Sequence, residues 1–422
     1  MNRPLAALVS GAFAHRLAQG FYDLTLPLLV LHITDSALLM SLMFATGYLA
    51  ELVVSVFGGA LVDRTGRRGL LIGIATVEAA VLMTAGTALL AHALSTPLLF
   101  LTAFAIDGLV RLYQLADSTA LAWIVPPEEL PQAHGYMQMA LSTARASGPA
   151  LCGVAIATVG LTGSVWITAA TFVPLLVMML VVRWPARLVG ETARKSEDQG
   201  FIASAADGLT YTLRTPLFRV ILMWQGAFNF LFGAAYLMFL FYFQKELRLN
   251  GWQIGTVMAM GAAGGFLGGL AYARLQARFR SGPLMLGSTS AMGVLILLMT
   301  WATHWLPLGA LVALMMFHGS QISRLTAMLF QVTAPPHMLG RVIAASQILT
   351  TAAGPVSVLS AGWLAGQHGA RWVFGIVGAG VLLLAAVSQR SLLARSDWGI
   401  RSRISTERDS SISAGQAWSS SG

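Results

Sequence analysis

Residues 36–92 read SALLMSLMFATGYLAELVVSVFGGALVDRTGRRGLLIGIATVEAAVLMTAGTALLAH. Two apolar runs, 36–61 and 70–92, flank a short loop that holds Asp63, Arg64, Arg67 and Arg68. At about 1.5 Å of rise per helical residue, each run is long enough to cross a hydrocarbon core about 30 Å thick. A backbone in lipid must satisfy its own hydrogen bonds, so such a run folds as a helix. The stretch therefore reads as helix, basic turn, helix, with the turn in water.

Runs of the same kind recur at 5–32, 97–123, 132–158 and 162–183, and again at 216–243, 252–273, 283–303, 306–332, 338–365 and 371–389. The expected fold is an all-α integral membrane protein with twelve transmembrane helices. Composition agrees: the 422 residues are 56% hydrophobic and 10% charged. A soluble domain carries roughly 25% charged residues to cover its surface. The first run includes Arg16 and Asp23 and has no clear small-residue cleavage site, so it reads as a retained span rather than a leader.

The organisation expected is a six-helix bundle over 1–183, a cytoplasmic linker over 184–215, a second six-helix bundle over 216–390 and a disordered Ser-rich cytoplasmic tail over 391–422. The linker holds Arg187, Glu191, Arg194, Lys195, Glu197 and Asp198, too polar to span, with an interfacial helix over 203–213. The two bundles look duplicated. Val125-Pro126-Pro127-Glu128-Glu129-Leu130 enters the fifth run, and Ala334-Pro335-Pro336-His337-Met338-Leu339 enters the eleventh. Ser147-Gly148-Pro149 and Ala353-Gly354-Pro355 follow within them, and Gly58-Gly59 matches Gly268-Gly269. Pseudo-symmetric halves with a site between them are a known transporter design.

Twelve spans put both termini on one side, and basic residues choose the side. Nineteen of the 26 Lys and Arg fall with the termini, three (Lys245, Arg248, Arg371) on the opposite side, and four (Arg16, Arg111, Arg145, Arg324) within spans. The expectation is a bacterial cytoplasmic membrane protein with cytoplasmic N- and C-termini. The net charge of +9 is then a topogenic and anionic-lipid signal, not one for nucleic acid. The single cysteine, Cys152, excludes an intrachain disulfide.

The loop Gly58-Gly59-Ala60-Leu61-Val62-Asp63-Arg64-Thr65-Gly66-Arg67-Arg68 resembles the loop signature of the major facilitator superfamily. That resemblance implies a cytoplasmic latch made by Gly59, Asp63, Arg64, Gly66, Arg67 and Arg68, which stabilises the outward-facing state. The equivalent loop of the second half has Ala273 where the first has Asp63, so only the N-terminal latch is expected to be strong. Gly148-Pro149-Ala150-Leu151-Cys152-Gly153 is similar to the fifth-helix motif of the family's exporters, with Gly148, Pro149 and Gly153 in the matching places. Leu109-Val110-Arg111-Leu112-Tyr113-Gln114 looks like the fourth-helix pattern of proton-coupled members. With Leu26-Pro27-Leu28 and the Pro126-Pro127 entry, the chain resembles the macrolide, multidrug (Tap-type) and siderophore exporter branch. The resemblance implies two six-helix bundles rocking about a central site.

Ionisable residues inside a span are costly and are functional candidates. Arg16, Gln19 and Asp23 share one helical face, Asp107, Arg111, Gln114 and Ser118 a second, and His134, Gln138, Ser142 and Arg145 a third. Asp23, near the middle of its span, is the leading proton carrier; Asp107, Arg111, Arg145 and Glu51 are the further coupling candidates. Asp107 and Arg111, four apart, are placed to pair. Glu51 faces either the seam with the eleventh helix or the cavity. Glu78 lies on a span expected to be peripheral, Asp117 is expected to reach water, and His15 and His134 are expected near the cytoplasmic face. In the second half, Gln225, Asn229, Phe232 and Tyr236 share one face, as do Gln321 and Arg324, which suits an apolar cavity for an amphiphilic ligand.

No phosphate-binding loop, metal-ligand spacing or catalytic constellation occurs, so no enzyme, cofactor or metal role is expected. The reading is a monomeric secondary transporter in the lipid bilayer that exports a small amphiphilic compound in exchange for protons. The alternatives on the same residues are an importer or facilitator of a nutrient or lysolipid and a non-transporting membrane sensor.

Overall fold

The computed structural model describes residues 3–65, 67–91, 93–125, 129–173, 177, 210, 212–334 and 339–395. These are helical, without strands: α1 (Arg3–Thr34), α2 (Ala37–Arg64), α3 (Arg67–Leu90), α4 (Thr96–Ile124), α5 (Leu130–Thr171), α6 (Pro216–Phe241), α7 (Gly251–Arg278), α8 (Ser281–Met299), α9 (Trp305–Thr333), α10 (Leu339–His368), α11 (Ala370–Ser388) and α12 (Leu392–Arg395). A π-helical turn, Tyr242–Glu246, extends α6.

Among the described residues nine stretches are long and apolar enough to cross a membrane. One of them, Gly135–Thr171, is 37 residues, or about 55 Å of helix, far beyond one bilayer crossing. It is broken at Gly160, whose φ of 74° only glycine adopts without strain, between the runs expected at 132–158 and 162–183. α1, of 32 residues, and α10, of 30, are each long enough to cross once, but their polar residues dilute their hydropathy. Taken together, the described helices are consistent with twelve crossings.

The turns at one end follow local chemistry. α1 stops at Asp35 (φ 52°), and the Ser36 side chain caps α2 by accepting from the Leu39 amide at 3.2 Å. The chain after α6 stops at Arg248 (φ 52°), and Asn250 and Gln253 form a reciprocal capping box on α7. The same end carries Trp252, Trp301, Trp363 and Trp372, all more than half exposed, as an interfacial belt requires. Phe57, Met139 and Met223 are also more than 60% exposed, although they lie within helices. This is the pattern of a surface solvated by lipid rather than water.

Contacts between the halves come as two related pairs, α2 with α10 and α5 with α7. A duplication relates these pairs to each other. Glycines make both seams close. Gly153 of α5 meets the backbone of Gly255 in α7, and Gly251 sits against Ile156 and Ala157. On the other seam Tyr48 lies over Gly354, and Ser41 over Gly362. Ser41, Gly153, Gly251 and Gly362 lie towards the end of the bundle that carries the tryptophan belt, while Tyr48 and Gly354 meet near mid-helix. Asp35 and Lys245 add an ion pair between the halves at that end.

The chain after Arg390, expected to be disordered from 391, first forms α12, whose Leu393 is fully buried and whose Arg395 carbonyl accepts from Arg280 at 2.7 Å. Residues 396–422, and 184–209 of the expected linker, lie outside the described residues.

Candidate functional site

The face of α1 that carries Arg16, Gln19 and Asp23 turns towards the space between the halves. Asp23 is exposed although its neighbours Tyr22 and Leu24 are 4% and 3% exposed. An exposed carboxyl halfway along a membrane helix, between two buried residues, opens into an internal cavity. Asp23 interacts electrostatically with Arg16, with Glu51 of α2 and with Arg145 of α5. Arg16 donates to Gln19 and also feels Glu51 and Tyr236 of α6. Glu51, left open between seam and cavity, therefore joins the cavity charges.

Asp107 of α4 lies within electrostatic reach of Asp23, Glu51 and Tyr22, and rests over Gly47 of α2 so closely that a methyl group there would overlap its Oδ2; the Tyr22 hydroxyl donates to the Ala103 carbonyl at 3.5 Å. The expected pairing with Arg111 does not form. Arg111 instead donates from Nε to Ser55 Oγ at 2.9 Å and from Nη1 to Gln114 Oε1 at 3.4 Å. Helix spacing put the two residues on one face, but their chemistry was settled by α2, which offers Arg111 a hydroxyl and Asp107 a glycine gap. Three carboxyl groups and three guanidinium groups (Arg16, Arg111, Arg145), drawn from four helices, thus share one cavity with formal charge balance.

The facing helix carries an aromatic ladder, buried at Trp224 and Phe228 and reaching the surface at Phe232 and Tyr236. On α6, Trp224 and Phe228 stack at 5.0 Å between ring centroids, Phe228 and Phe232 at 5.8 Å, and Tyr236 follows at 6.2 Å. This is a ladder of residues four apart. Asn229, exposed beside it, donates to the Gln225 carbonyl at 2.8 Å, while Gln225 Oε1 is buried without a partner. Tyr236 is 47% exposed and lies within electrostatic reach of Asp23 and Arg16, so it closes the ring of cavity residues from the second half.

One cavity candidate falls elsewhere. Gln321 is fully buried and donates to the Gly268 carbonyl in the α7–α9 seam, so it is a packing residue and not a lining one. A long polar side chain was read as cavity-facing, but the glycine-rich surface of α7 brings a backbone carbonyl within its reach. Arg324 is exposed, beside Gly269 and 5.8 Å from the Tyr272 ring centroid. The side chains of Gln138, Asp63, Arg64, Arg67 and Arg68, with Gly59 and Gly66 of the latch, lie outside the described residues. The fifth-helix motif is described: Gly148 packs on Gly20, with Pro149 beside it, and Gly153 makes the crossing with Gly255. Cys152 is buried within 3.2 Å of Thr25 Oγ1. Among the described residues no three His, Cys, Asp or Glu side chains gather as metal ligands would.

Tyr22, Tyr48 and Gly47 belong to this site and were not singled out from sequence. Gly47 precedes Glu51 by one helical turn, which was the only available signal.

The family profile described as Major Facilitator Superfamily matches residues 8–356. Among curated proteins, the chain is 26% identical over 393 residues to the multidrug efflux pump Tap of Mycolicibacterium fortuitum, covering 91% of this chain and 95% of that one. It is 27% identical over 361 residues to the multidrug efflux pump Tap of Mycobacterium tuberculosis (strain ATCC 25618 / H37Rv), covering 81% and 83%. Among solved structures, a bacterial homologue of the iron transporter ferroportin in an inward-facing state superposes with a TM-score of 0.67 at 16% identity, covering 91% of this chain and 97% of that one. The nucleoside transporter NupG superposes with a TM-score of 0.70 at 13% identity, covering 92% and 98%. At those identities the likeness is one of fold.

Proposed function

The chain belongs to the Major Facilitator Superfamily, and on that premise we propose that it exports small amphiphilic compounds from the bacterial cytoplasm in exchange for protons, by alternating access. The observation that carries the reading is Asp23: a carboxyl open to the cavity, beside Arg16, Glu51 and Arg145, facing the aromatic ladder that ends at Tyr236.

A charge-balanced cavity supports exchange for a physical reason. Three carboxylates and three guanidiniums offset one another, so one added proton leaves an excess positive charge. That excess disfavours a bound cation or a donor-rich amphiphile and helps to expel it. With the termini cytoplasmic, the close crossings at Gly153–Gly255 and Ser41–Gly362 lie on the outer side, which supports reading this state as inward-facing and ready to load substrate. The exposed end of its aromatic ladder accepts flat apolar groups of varied shape. The named relatives are multidrug efflux pumps, which supports outward transport of more than one compound. Glu51, Asp107 and Arg111 surround Asp23 and set the field it feels. The working unit is the monomer, because the cavity is built within one chain.

The test is ethidium accumulation in an efflux-deficient bacterial host carrying wild type, Asp23→Asn or empty vector, with and without an uncoupler. Wild type should lower accumulation and lose that ability with the uncoupler, and Asp23→Asn should behave as empty vector in both conditions. Full uncoupler-sensitive efflux by Asp23→Asn would falsify the assigned role of Asp23.

A further inference from the structure

A second group of ionisable side chains lies inside the first half, apart from the cavity. His15, expected near the cytoplasmic face, is 3% exposed, and Glu78, expected on a peripheral span, is 0% exposed. They meet through His15 Nε2 and Glu78 Oε1 at 3.0 Å. The Tyr113 ring of α4 stacks on the His15 ring with centroids 3.7 Å apart and planes 13° from parallel. Phe172, at the end of α5, closes the other side edge-on at 5.9 Å. Asp117, one turn beyond Tyr113 on α4, interacts electrostatically with His15 and Tyr113. Among the described residues, the ionisable groups facing the cluster are His15 from α1, Glu78 from α3, and Tyr113 and Asp117 from α4.

We propose that His15, Glu78, Tyr113 and Asp117 form a second proton-binding site of this transporter, linked to the cavity through α1 and α4. The proposal rests on the proton-coupled reading above and deepens it.

Three observations carry it. First, the site is not saturated: Glu78 Oε2, Tyr113 Oη and Asp117 Oδ1 are buried without a hydrogen-bond partner. Buried polar atoms are seldom left unpaired, and three in one cluster call for a functional cause. Second, charge counting requires exchangeable protons. Two carboxyls and one imidazole, shielded from water, are neutral only when the trio carries two dissociable protons. Release of either proton leaves a net negative charge in a low-dielectric site, so protons enter and leave when water reaches it. Third, the same two helices serve both sites. On α1, His15 and Arg16 are neighbours and point in different directions, about 100° apart, one into the cluster and one into the cavity. On α4, Arg111 and Gln114 bond within the cavity group while Tyr113 and Asp117 face the cluster. A tilt of α1 or α4 on loading the cavity therefore moves His15 and Asp117 against Glu78.

The test reads protons directly and needs no transported substrate. Full-length protein in lipid nanodiscs is titrated between about pH 5 and 9, the range in which shielded acids and imidazoles exchange. Infrared difference spectra report the C=O stretch of each protonated carboxyl. The expected result is a titrating carboxyl band that persists in Asp23→Asn, disappears in Glu78→Gln or Asp117→Asn, and changes frequency in Tyr113→Phe, which keeps the ring stack. Tyr113→Phe guards against misfolding of the charge variants: an unchanged band in that variant overturns the assignment. A wild-type spectrum without a carboxyl band independent of Asp23 overturns it as well. Ethidium efflux without uncoupler sensitivity, with the band present, sinks proton-coupled export and leaves the binding site standing; sensitivity without the band sinks the second site alone.

Discussion

Replacing Gly153 with alanine should push the transporter out of the state described here. A Cβ built on Gly153 would overlap the Cα of Gly255 and lie 2.9 Å from its nitrogen and 3.4 Å from its carbonyl carbon. Carbon atoms pack best about 3.5–4.0 Å apart, so α5 and α7 must separate by about 1.5 Å. Overpacking of this size costs about 1–3 kcal/mol. The cost is felt only while the two helices touch. In the opposite state of the proposed alternating-access cycle this end of the bundle would open and the methyl group would meet no neighbour. The ratio of the two states should therefore change by about 5- to 150-fold. Spin labels at positions 32 and 252 are suited to the measurement in a Cys152→Ala background. His32 ends α1, Trp252 begins α7, and both are exposed at the closed end. Pulsed electron spin measurements should show the label-to-label distance distribution of Gly153→Ala shifted to longer values. Gly148→Ala is the control. Its Cβ would lie 3.0 Å from Gly20 Cα, inside the first half, so it should lower stability without moving the distribution. An unchanged distribution in Gly153→Ala would refute the claim that this crossing belongs to one state only.

Gly47→Ala should displace the Asp107 carboxyl from its place over α2, lowering the melting temperature and ethidium efflux together, by about 1–3 kcal/mol in stability; a melting curve that matches wild type refutes the contact. Asp35→Asn should have little effect, under about 1 kcal/mol, because the Asp35 side chain is 76% exposed and solvent screens its pair with Lys245; transport abolished by this change would contradict that weighting. Tyr236→Ala should weaken ethidium binding to the purified protein by about tenfold, while Tyr236→Phe retains most of the affinity, since the ring supplies the contact; equal losses would point to the hydroxyl instead. Raising the external pH by one unit at fixed membrane potential removes about 1.36 kcal/mol of driving force per proton, so the steady-state dye gradient should fall about tenfold for one coupled proton and about a hundredfold for two. An insensitive gradient would exclude proton exchange.

Membrane residence and the long apolar helices were legible in the residues because each depends on local composition. Lipid demands a long apolar helix wherever the chain crosses, and the runs at 132–158 and 162–183 anticipate the break at Gly160 to within a few residues. The stripe of Arg16, Gln19 and Asp23 was legible for the same reason: helical periodicity alone aligns residues three and four apart. Periodicity does not say what a stripe meets. Asp107 and Arg111 share a face yet take different partners, because Gly47 and Ser55 come from another helix. Gln321 carries a polar group as Gln114 does, but the approach of α7 buries it against a backbone carbonyl. His15 and Glu78 lie 63 residues apart, and only the packing of α1, α3 and α4 brings them to 3.0 Å. Tertiary contact decides these matters because a side chain's electrostatic partner is whatever the neighbouring helix presents, and that neighbour is chosen by the packing of whole surfaces.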